Sequence, residues 1–206
     1  MTARDVVLQR IRAALADVPD DDEVTVPRDY RRSHAEGDVV DLFDERVSDY
    51  RATVVRVPSA EVAGEVARAL GSRSAVVPAG FPSEWRPERE LLSDEPTLST
   101  EALDRIGAAV TTATVGIALT GTIVLDGGEG QGRRALTLVP DMHICVIRPD
   151  QIAADVPEAL SRLDPARPLT LISGPSATSD IELERVEGVH GPRTLHVIIA
   201  TGEGTG

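Results

Sequence analysis

Cysteine is nearly absent from this chain of 206 residues, and the one that is present, Cys145, lies in an apolar run. A single cysteine excludes an internal disulfide bond. It also excludes a self-contained Cys₄ site for zinc or for an iron–sulfur cluster. No pair of the four histidines has the helical spacing of metal ligands. We therefore expect that the chain alone binds neither a metal ion nor a cluster.

Basic charge is also scarce, since 21 basic residues face 34 acidic ones and the formal net charge is −13. So acidic a chain has no electrostatic reason to hold nucleic acid or to lie on a membrane surface. No apolar run approaches the roughly 20 residues that cross a bilayer. The amino-terminal segment lacks the pattern of a secretory signal. These absences predict a cytoplasmic protein that neither inserts into a membrane nor binds nucleic acid.

Nucleotide-binding motifs are missing as well. The chain contains no Gly-Lys-Ser/Thr, and its glycine-rich run Gly127–Gly132 is followed by a strand-like pattern instead of the helix that a dinucleotide fingerprint needs. We interpret the run as a hairpin loop that leads into a strand over 136–139. Arg134, at the end of this loop, carries a guanidinium fork that suits a carboxylate or a phosphate, although a solvated surface arginine explains the sequence equally well.

What the chain does contain is an alternation of helix and strand patterns. Residues 1–50 predict an amino-terminal helical arm and linker. Residues 51–202 predict one α/β domain, and residues 203–206 a disordered tail. We predict helices at 3–17, 38–50, 59–70, 99–105, 150–163 and 179–188, and strands at 53–57, 75–77, 115–119, 122–125, 136–139, 143–147, 169–172 and 195–200.

The stretch 173–192 is the predicted centre of the functional site. It follows the apolar strand 169–172 and carries the capping-box pattern of Ser179 and Glu182, which predicts a helix that ends at Gly188. Together with the strand at 195–200 this pattern predicts a βαβ unit. In open α/β sheets, ligands bind at the turn that follows a strand.

Small and hydroxyl-bearing residues at the start of this helix favour an anion or substrate site. The candidate residues are Gly174, Ser176, Thr178 and Asp180. The carboxylates of Asp180 and Glu182 argue the other way, because they already occupy the positive end of the helix dipole.

His190 is the candidate catalytic residue, because it follows the predicted helix on a loop rich in glycine and has the titration range of an acid–base group. His143 and His196 fall at strand positions and are interpreted as structural. Cys145 is interpreted as buried and unreactive. We predict that His190, the loop Gly174–Thr178 and Arg134 meet at the carboxyl ends of adjacent strands and bind a small hydroxy acid.

Two segments together resemble the lactate utilization protein C family (LutC, also called YkgG), which consists of a LUD domain. One is ISGPSATSDIELERVEGVHGPRTLHVII. The other is GIALTGTIVLDGGEGQGRRALTLVPDMHICVIRPDQI, which holds a Thr-Gly-Thr turn, an arginine before the next predicted strand and a Leu-x-Pro-x-x-His segment. An acidic residue often precedes Thr-Gly-Thr in this family, and Leu119 stands there instead. Any catalytic role of that carboxylate would be lost in this chain.

The resemblance implies a fold like the NagB/RpiA/CoA-transferase group, a three-layer α/β/α sandwich. It also implies a role in the oxidation of L-lactate to pyruvate, alongside two partner subunits that carry iron–sulfur clusters. The Thr-Gly-Thr turn, Thr120, Gly121 and Thr122, is then part of the substrate or anion site. Two alternatives stay open: a stand-alone enzyme or ligand-binding protein of the same fold, acting on sugar phosphates or CoA esters, and a purely structural or regulatory subunit. Self-association into a homo-oligomer also stays open.

Overall fold

A computed structural model of the chain describes residues 2–17, 37–175, 177–178, 186–187 and 191–202. The chain divides into two compact units, residues 1–30 and 31–206. The first contains helix α1 (Ala3–Ala14), which begins at a capping box: Thr2 and Asp5 satisfy each other's backbone N–H groups. Val7, Ile11 and Leu15 form its apolar face, and each side chain is about half exposed.

The described part of the second unit holds four helices and twelve strands. Helix α2 begins at its N-cap residue Asp38, whose carboxylate accepts from two backbone N–H groups. The helices are α2 (Val39–Asp49), α3 (Val62–Leu70), α4 (Thr100–Asp104) and α5 (Val156–Ser161). The strands are β1 (Thr53–Pro58), β2 (Ala75–Val77), β3 (Leu92–Ser93), β4 (Ala108–Thr112), β5 (Val115–Ile117), β6 (Thr122–Leu125), β7 (Met142–Ile147), β8 (Ile152–Ala153), β9 (Thr170–Ile172), β10 (Ala177–Thr178), β11 (Val186–Glu187) and β12 (Thr194–Thr201).

The central sheet has the order β1-β12-β7-β4-β2-β3, and every pairing in it is parallel. Its strands are rich in valine, isoleucine and alanine with few polar breaks, as expected for a sheet that is covered on both faces. A smaller sheet has the order β8-β5-β6-β9, and β10 pairs with β11 alone.

Two hydrophobic layers cover the central sheet. On one face, Val62, Val66 and Leu70 of α3 pack against alternate residues of the strands, among them Ile144 and Ile198. The other face is covered by Phe43 and Val47 of α2, by the smaller sheet, and by a cluster around α4. Helix α5 covers the outer side of the smaller sheet. The predicted α/β sandwich is confirmed, with the second layer built from a helix and a sheet together.

The alternation of strand residues between the two layers sets the side-chain directions that matter for the site. Met142, Ile144 and Val146 face α3, whereas Cys145 and Ile147 face α2. His143 therefore points to the α2 side of the sheet. Helix α2, which the sequence analysis assigns to the arm, inserts Phe43 and Val47 into this layer at no measurable exposure.

The strand predicted at 136–139 is wrong. Residues Arg134–Thr137 form a 3₁₀ helix, and the glycine-rich run is therefore not a hairpin loop. Leu136 is buried against Leu103 and Ile106 beside α4, while Ala135 and Val139 flank it. This tertiary packing holds the segment in a helical turn despite its strand-like alternation of apolar residues.

The helix predicted at 179–188 is wrong at its carboxyl end. Val186–Glu187 pair antiparallel with Ala177–Thr178, so the chain is extended there. The rest of that predicted helix lies outside the described residues. The predicted βαβ unit is also wrong, because β9 belongs to the smaller sheet, antiparallel to β6, whereas β12 belongs to the central sheet.

Candidate functional site

A cavity of about 240 Å³ lies at the amino end of two central strands. His143 is the second residue of β7 and Leu195 the second residue of β12, and both line it. The full lining is Arg134, Thr137, Leu138, His143, Thr170, Leu171, Ile172, Ser173, Gly174, Pro175, Gly191, Pro192 and Leu195. The expected position at the carboxyl ends of adjacent strands is wrong for the central sheet, because the 3₁₀ helix that carries Arg134 leads directly into the amino end of β7.

Arg134 lines this cavity and has no side-chain partner in the part of the chain that the structure describes. The side chain is exposed, and it makes no hydrogen bond or ion pair with any other residue that the structure describes. Its neighbour Arg133 differs completely. Arg133 forks onto the two carboxylate oxygens of Asp94, at 2.7 and 3.0 Å, and also donates to the carbonyl of Leu98. Arg134 is thus the arginine of this pair that remains available for an anion.

His143 contributes a buried imidazole to the same cavity. Its side chain is 1% exposed, and Nε2 lies 2.8 Å from the hydroxyl of Thr111 on β4. Burial lowers the pKa of His143 to about 4. The imidazole is therefore neutral near pH 7, and a neutral ring can accept a hydrogen bond from a ligand.

The interpretation of His143 as purely structural overlooked its place in the cavity wall. Strand position alone gave no reason to expect an open space beside this residue. The signal that could have found it is the Leu-x-Pro-x-x-His segment, Leu138–His143, which connects the 3₁₀ helix of Arg134 to β7 and brings both ends of the segment to the cavity.

Cys145 and His196 lie away from the cavity, and both have structural surroundings. Cys145 is fully buried, and burial raises the pKa of its thiol to about 12. His196 faces α3, where its Nε2 lies 3.0 Å from the buried carboxylate of Glu65. Burial, and then the charge of Arg68, lower the pKa of His196.

Within the described residues, the Thr-Gly-Thr turn is linked to the cavity through Ser173. The Thr122 hydroxyl lies 2.8 Å from the hydroxyl of Ser173, which lines the cavity, and 2.8 Å from that of Thr120. Thr120, Gly121 and Thr122 are not themselves part of the cavity wall. The turn is therefore positioned to act on the cavity indirectly.

Both turns around this hydroxyl contact rest on the carboxyl end of α2. Gly121 has a φ of +57°, and a Cβ there would meet the backbone of Arg46 at 2.8 Å. Gly174 has a φ of +81°, and a Cβ there would meet the Cβ of Tyr50 at 2.6 Å. Only glycine fits such a backbone at such a distance, so these two residues hold the Thr122 and Ser173 hydroxyls together.

The remaining predicted site residues fall at or beyond the edge of the described chain. Ser176, Asp180 and His190 lie outside the described residues, and Thr178 is described only as part of β10. Gly174 and Arg134 do line one cavity, together with Gly191. Their role in binding stays a prediction.

A second and larger cavity, of about 500 Å³, lies at the carboxyl ends of β2 and β3 and is lined by the glycine-rich run. The polar groups around this run are paired internally. Gln131, for example, accepts from the backbone of Asp126 and donates to Thr114, and Arg167 pairs with Asp126 at 2.8 Å. Asp94 and Arg133 line this cavity and hold each other, so neither is free for a ligand.

Neither a metal cluster nor a membrane helix is present in the part of the chain that the structure describes. No three histidine, cysteine, aspartate or glutamate side chains in it come together as metal ligands. Within the same residues, every helix is too short or too polar to cross a bilayer. That the chain alone carries no metal or cluster stays a prediction.

Comparison with known proteins gives consistent matches. The family model for the LUD domain matches residues 86–200. Lactate utilization protein C of Deinococcus radiodurans is 50% identical over 168 residues, which cover 79% of each chain. Lactate utilization protein C of Bacillus pumilus is 38% identical over 92 residues, or 40% of this chain and 38% of that protein.

A solved structure matches as well. The crystal structure of a DUF162 family protein from Deinococcus radiodurans superposes with a TM-score of 0.69 at 44% identity, and the match covers 80% of this chain and 96% of that one. The sequence and fold matches agree with each other, and the chain belongs to the lactate utilization protein C family of LUD domain proteins.

Proposed function

We propose that this chain is the non-cluster subunit of a cytoplasmic iron–sulfur complex for lactate utilization, and that it holds L-lactate during oxidation to pyruvate. The names of its relatives support the general role. One observation carries the site: the guanidinium of Arg134, which has no partner among the described residues, and the buried imidazole of His143 line the same cavity. A cation and a neutral base, held together, match the carboxylate and the 2-hydroxyl of a small hydroxy acid.

The proposed roles follow from this chemistry. Arg134 binds the carboxylate through its guanidinium fork, which orients the substrate. The His143 imidazole accepts a hydrogen bond from the 2-hydroxyl through the nitrogen that Thr111 does not contact, because the ring is neutral at physiological pH. Both groups are carried by one short connection, the 3₁₀ helix and the start of β7, so their separation is fixed by the fold.

Oxidation of lactate to pyruvate breaks the O–H bond of the 2-hydroxyl and the C–H bond of carbon 2, and the two electrons and two protons released must leave to redox groups on another subunit. The only cysteine of this chain, Cys145, is fully buried. It cannot supply the four thiolates of a cluster site. Under this proposal the chain therefore binds and orients the substrate, while iron–sulfur partner subunits carry the redox groups.

Calorimetric titration of the purified chain with L-lactate tests the binding part. We expect saturable binding that weakens by at least about tenfold in Arg134→Ala, since charge-assisted hydrogen bonds are lost. Arg105→Ala removes an exposed arginine that does not line the cavity, and it should bind lactate like the wild type. Equal affinity in all three proteins would exclude Arg134 as the carboxylate ligand.

The reconstituted complex tests the catalytic part. Lactate-dependent reduction of an artificial electron acceptor should require this chain together with the iron–sulfur subunits, and it should be lost in His143→Gln without loss of assembly. Full activity of the partners without this chain would refute the proposal. Loss of assembly in place of loss of turnover would assign His143 a structural role.

A further inference from the structure

Three hydroxyl groups form a chain that ends in the cavity. Thr120, Thr122 and Ser173 are linked by two Oγ···Oγ contacts of 2.8 Å each. The middle residue, Thr122, is 5% exposed, so its hydroxyl is largely shielded from water. Ser173 is the exposed end of the chain, and it lines the cavity with Arg134 and His143.

The number of hydroxyl protons restricts how the three hydroxyl groups can hydrogen-bond to one another. The Thr122 hydroxyl has one proton, and its possible partners are the hydroxyl of Ser173, the hydroxyl of Thr120 and, at 3.4 Å, the carbonyl of Thr120. If Thr122 donates to Ser173, the Ser173 proton is free to point into the cavity. If Thr122 donates to Thr120, it accepts from Ser173, and the lone pairs of Ser173 face the cavity.

The first arrangement suits both oxidation states of one ligand. A ketone oxygen only accepts hydrogen bonds, and an alcohol oxygen also accepts one while its single proton points to another partner, here His143. Ser173 can therefore donate to the oxygen on carbon 2 of an oxo acid and of a hydroxy acid, while Thr122 donates to Ser173.

We propose that Ser173 recognises the oxygen on carbon 2 of the bound acid, and that Thr122 and Thr120 are positioning residues that act through it. This inference rests on the proposed function and deepens it. It assigns the discrimination between 2-oxygenated acids and plain carboxylates to the turn after β9, and it assigns the Thr-Gly-Thr turn a role that does not involve direct contact with the ligand.

Two glycines next to the hydroxyl-bearing residues support the positioning role of Thr122. Gly121 and Gly174 each pack against α2 more closely than any side chain permits, at the backbone of Arg46 and at Tyr50. Each lies next to a member of the hydroxyl chain. The fold thus sets the Thr122–Ser173 contact from both sides, as a positioning role requires.

Calorimetric titration with three acids tests the proposal. L-Lactate and pyruvate carry the oxygen on carbon 2, and propionate lacks it. We expect wild type to bind the first two more tightly than propionate. In Ser173→Ala this preference should fall by about tenfold and in Thr122→Val by about threefold, while the affinity for propionate is unchanged, since each variant removes or loosens one hydrogen bond. Thr122→Ser keeps the hydroxyl and should restore the preference.

The outcomes separate this inference from the proposed function. Propionate binding that depends on Arg134, with an oxygen preference that Ser173→Ala and Thr122→Val leave intact, overturns the hydroxyl proposal alone. A wild type that binds none of the three acids overturns both. Loss of affinity for propionate in Thr122→Val, accompanied by a lower melting temperature, means that Thr122 is merely structural and also overturns the inference.

Discussion

The two ends of the central sheet contain similar polar residues and use them differently. At the carboxyl end, the glycine-rich run is surrounded by groups that satisfy one another. Arg133 holds Asp94, and Thr114 donates to Asp126 at 2.9 Å while it accepts from Gln131 at 2.7 Å. At the amino end, Arg134 has no partner among the described residues, and among the same residues the imidazole of His143 is hydrogen-bonded to the hydroxyl of Thr111 alone.

The polar groups at the carboxyl end therefore stabilise the fold, whereas those at the amino end are available to a ligand. The loss of its partner by a buried polar group costs free energy. A ligand that bound the paired groups at the carboxyl end would have to break their existing hydrogen bonds at that cost. The amino end incurs no such cost, because Arg134 is not engaged by any residue that the structure describes. General experience with α/β sheets favours the carboxyl end. The pairing state of the side chains favours the amino end, and it is the more direct criterion because it counts the groups that a ligand can bind.

The largest expected effect concerns the imidazole at the amino end. His143 has a pKa of about 4 when folded, against an ordinary value of 6.5. Above pH 6.5 the imidazole is neutral in both states and contributes nothing. As the pH falls through 6.5 towards 4, the unfolded chain takes up a proton that the buried ring refuses, and stability is lost, by about 3 kcal/mol in total.

Urea unfolding at pH 7.5 and at pH 4.5 measures this loss. The Asn or Gln variant of His143 should show a smaller drop in the free energy of unfolding, and the difference between variant and wild type isolates His143 from the other groups that titrate. An identical pH dependence in His143→Gln would show that the imidazole is not held neutral. In that case the proposed function would lose its neutral hydrogen-bond acceptor.

The adjacent arginines give the next effect. Arg133→Ala removes the charged partner of Asp94. The hydrogen bond from Arg133 is the main cause of the lowered pKa of that carboxyl group. We expect a loss of about 2 kcal/mol in the free energy of unfolding, since charge-assisted hydrogen bonds at a partly buried site are removed. Arg134→Ala should cost much less stability and should instead weaken lactate binding by at least about tenfold. A large destabilisation in Arg134→Ala would contradict the comparison of the two ends.

Much of the fold could be predicted from the sequence, because the local spacing of apolar and β-branched residues indicates helices and strands. The spacing of Phe43 and Val47 marked α2, and the β-branched runs marked β1, β6 and β7. The alternation in β7 separated His143 and Cys145 from their neighbours, as the two core layers confirm. Such patterns reflect burial, which leaves a periodic trace in the sequence.

The remaining features depend on contacts distant in sequence. The 3₁₀ helix at Arg134–Thr137 exists because Leu136 is buried beside α4, and nothing local signals that packing. The extended pairing of Val186–Glu187 competes with a capping-box pattern and prevails through the partner strand. Strand β4, absent from the prediction, supplies Thr111 to His143. For the site, the sequence suggested Arg134 and Gly174, but only the fold shows which side chains are already paired.

The smallest effect concerns Thr114. Its hydroxyl hydrogen-bonds to polar neighbours at the carboxyl end, as the hydroxyl of Thr122 does near the amino-end cavity. Thr114→Val leaves the amide of Gln131 and a carboxylate oxygen of Asp126 each with one partner fewer, while Arg167 continues to hold Asp126. We expect a loss of about 1 kcal/mol in the free energy of unfolding, measured in urea, since the net value of such hydrogen bonds is small. Lactate affinity and the preference for lactate over propionate should not change in the same calorimetric titration, because Thr114 lies outside the amino-end cavity. A weakened oxygen preference in Thr114→Val would show that the glycine-rich run participates in ligand binding, and the distinction between the two ends would then fail.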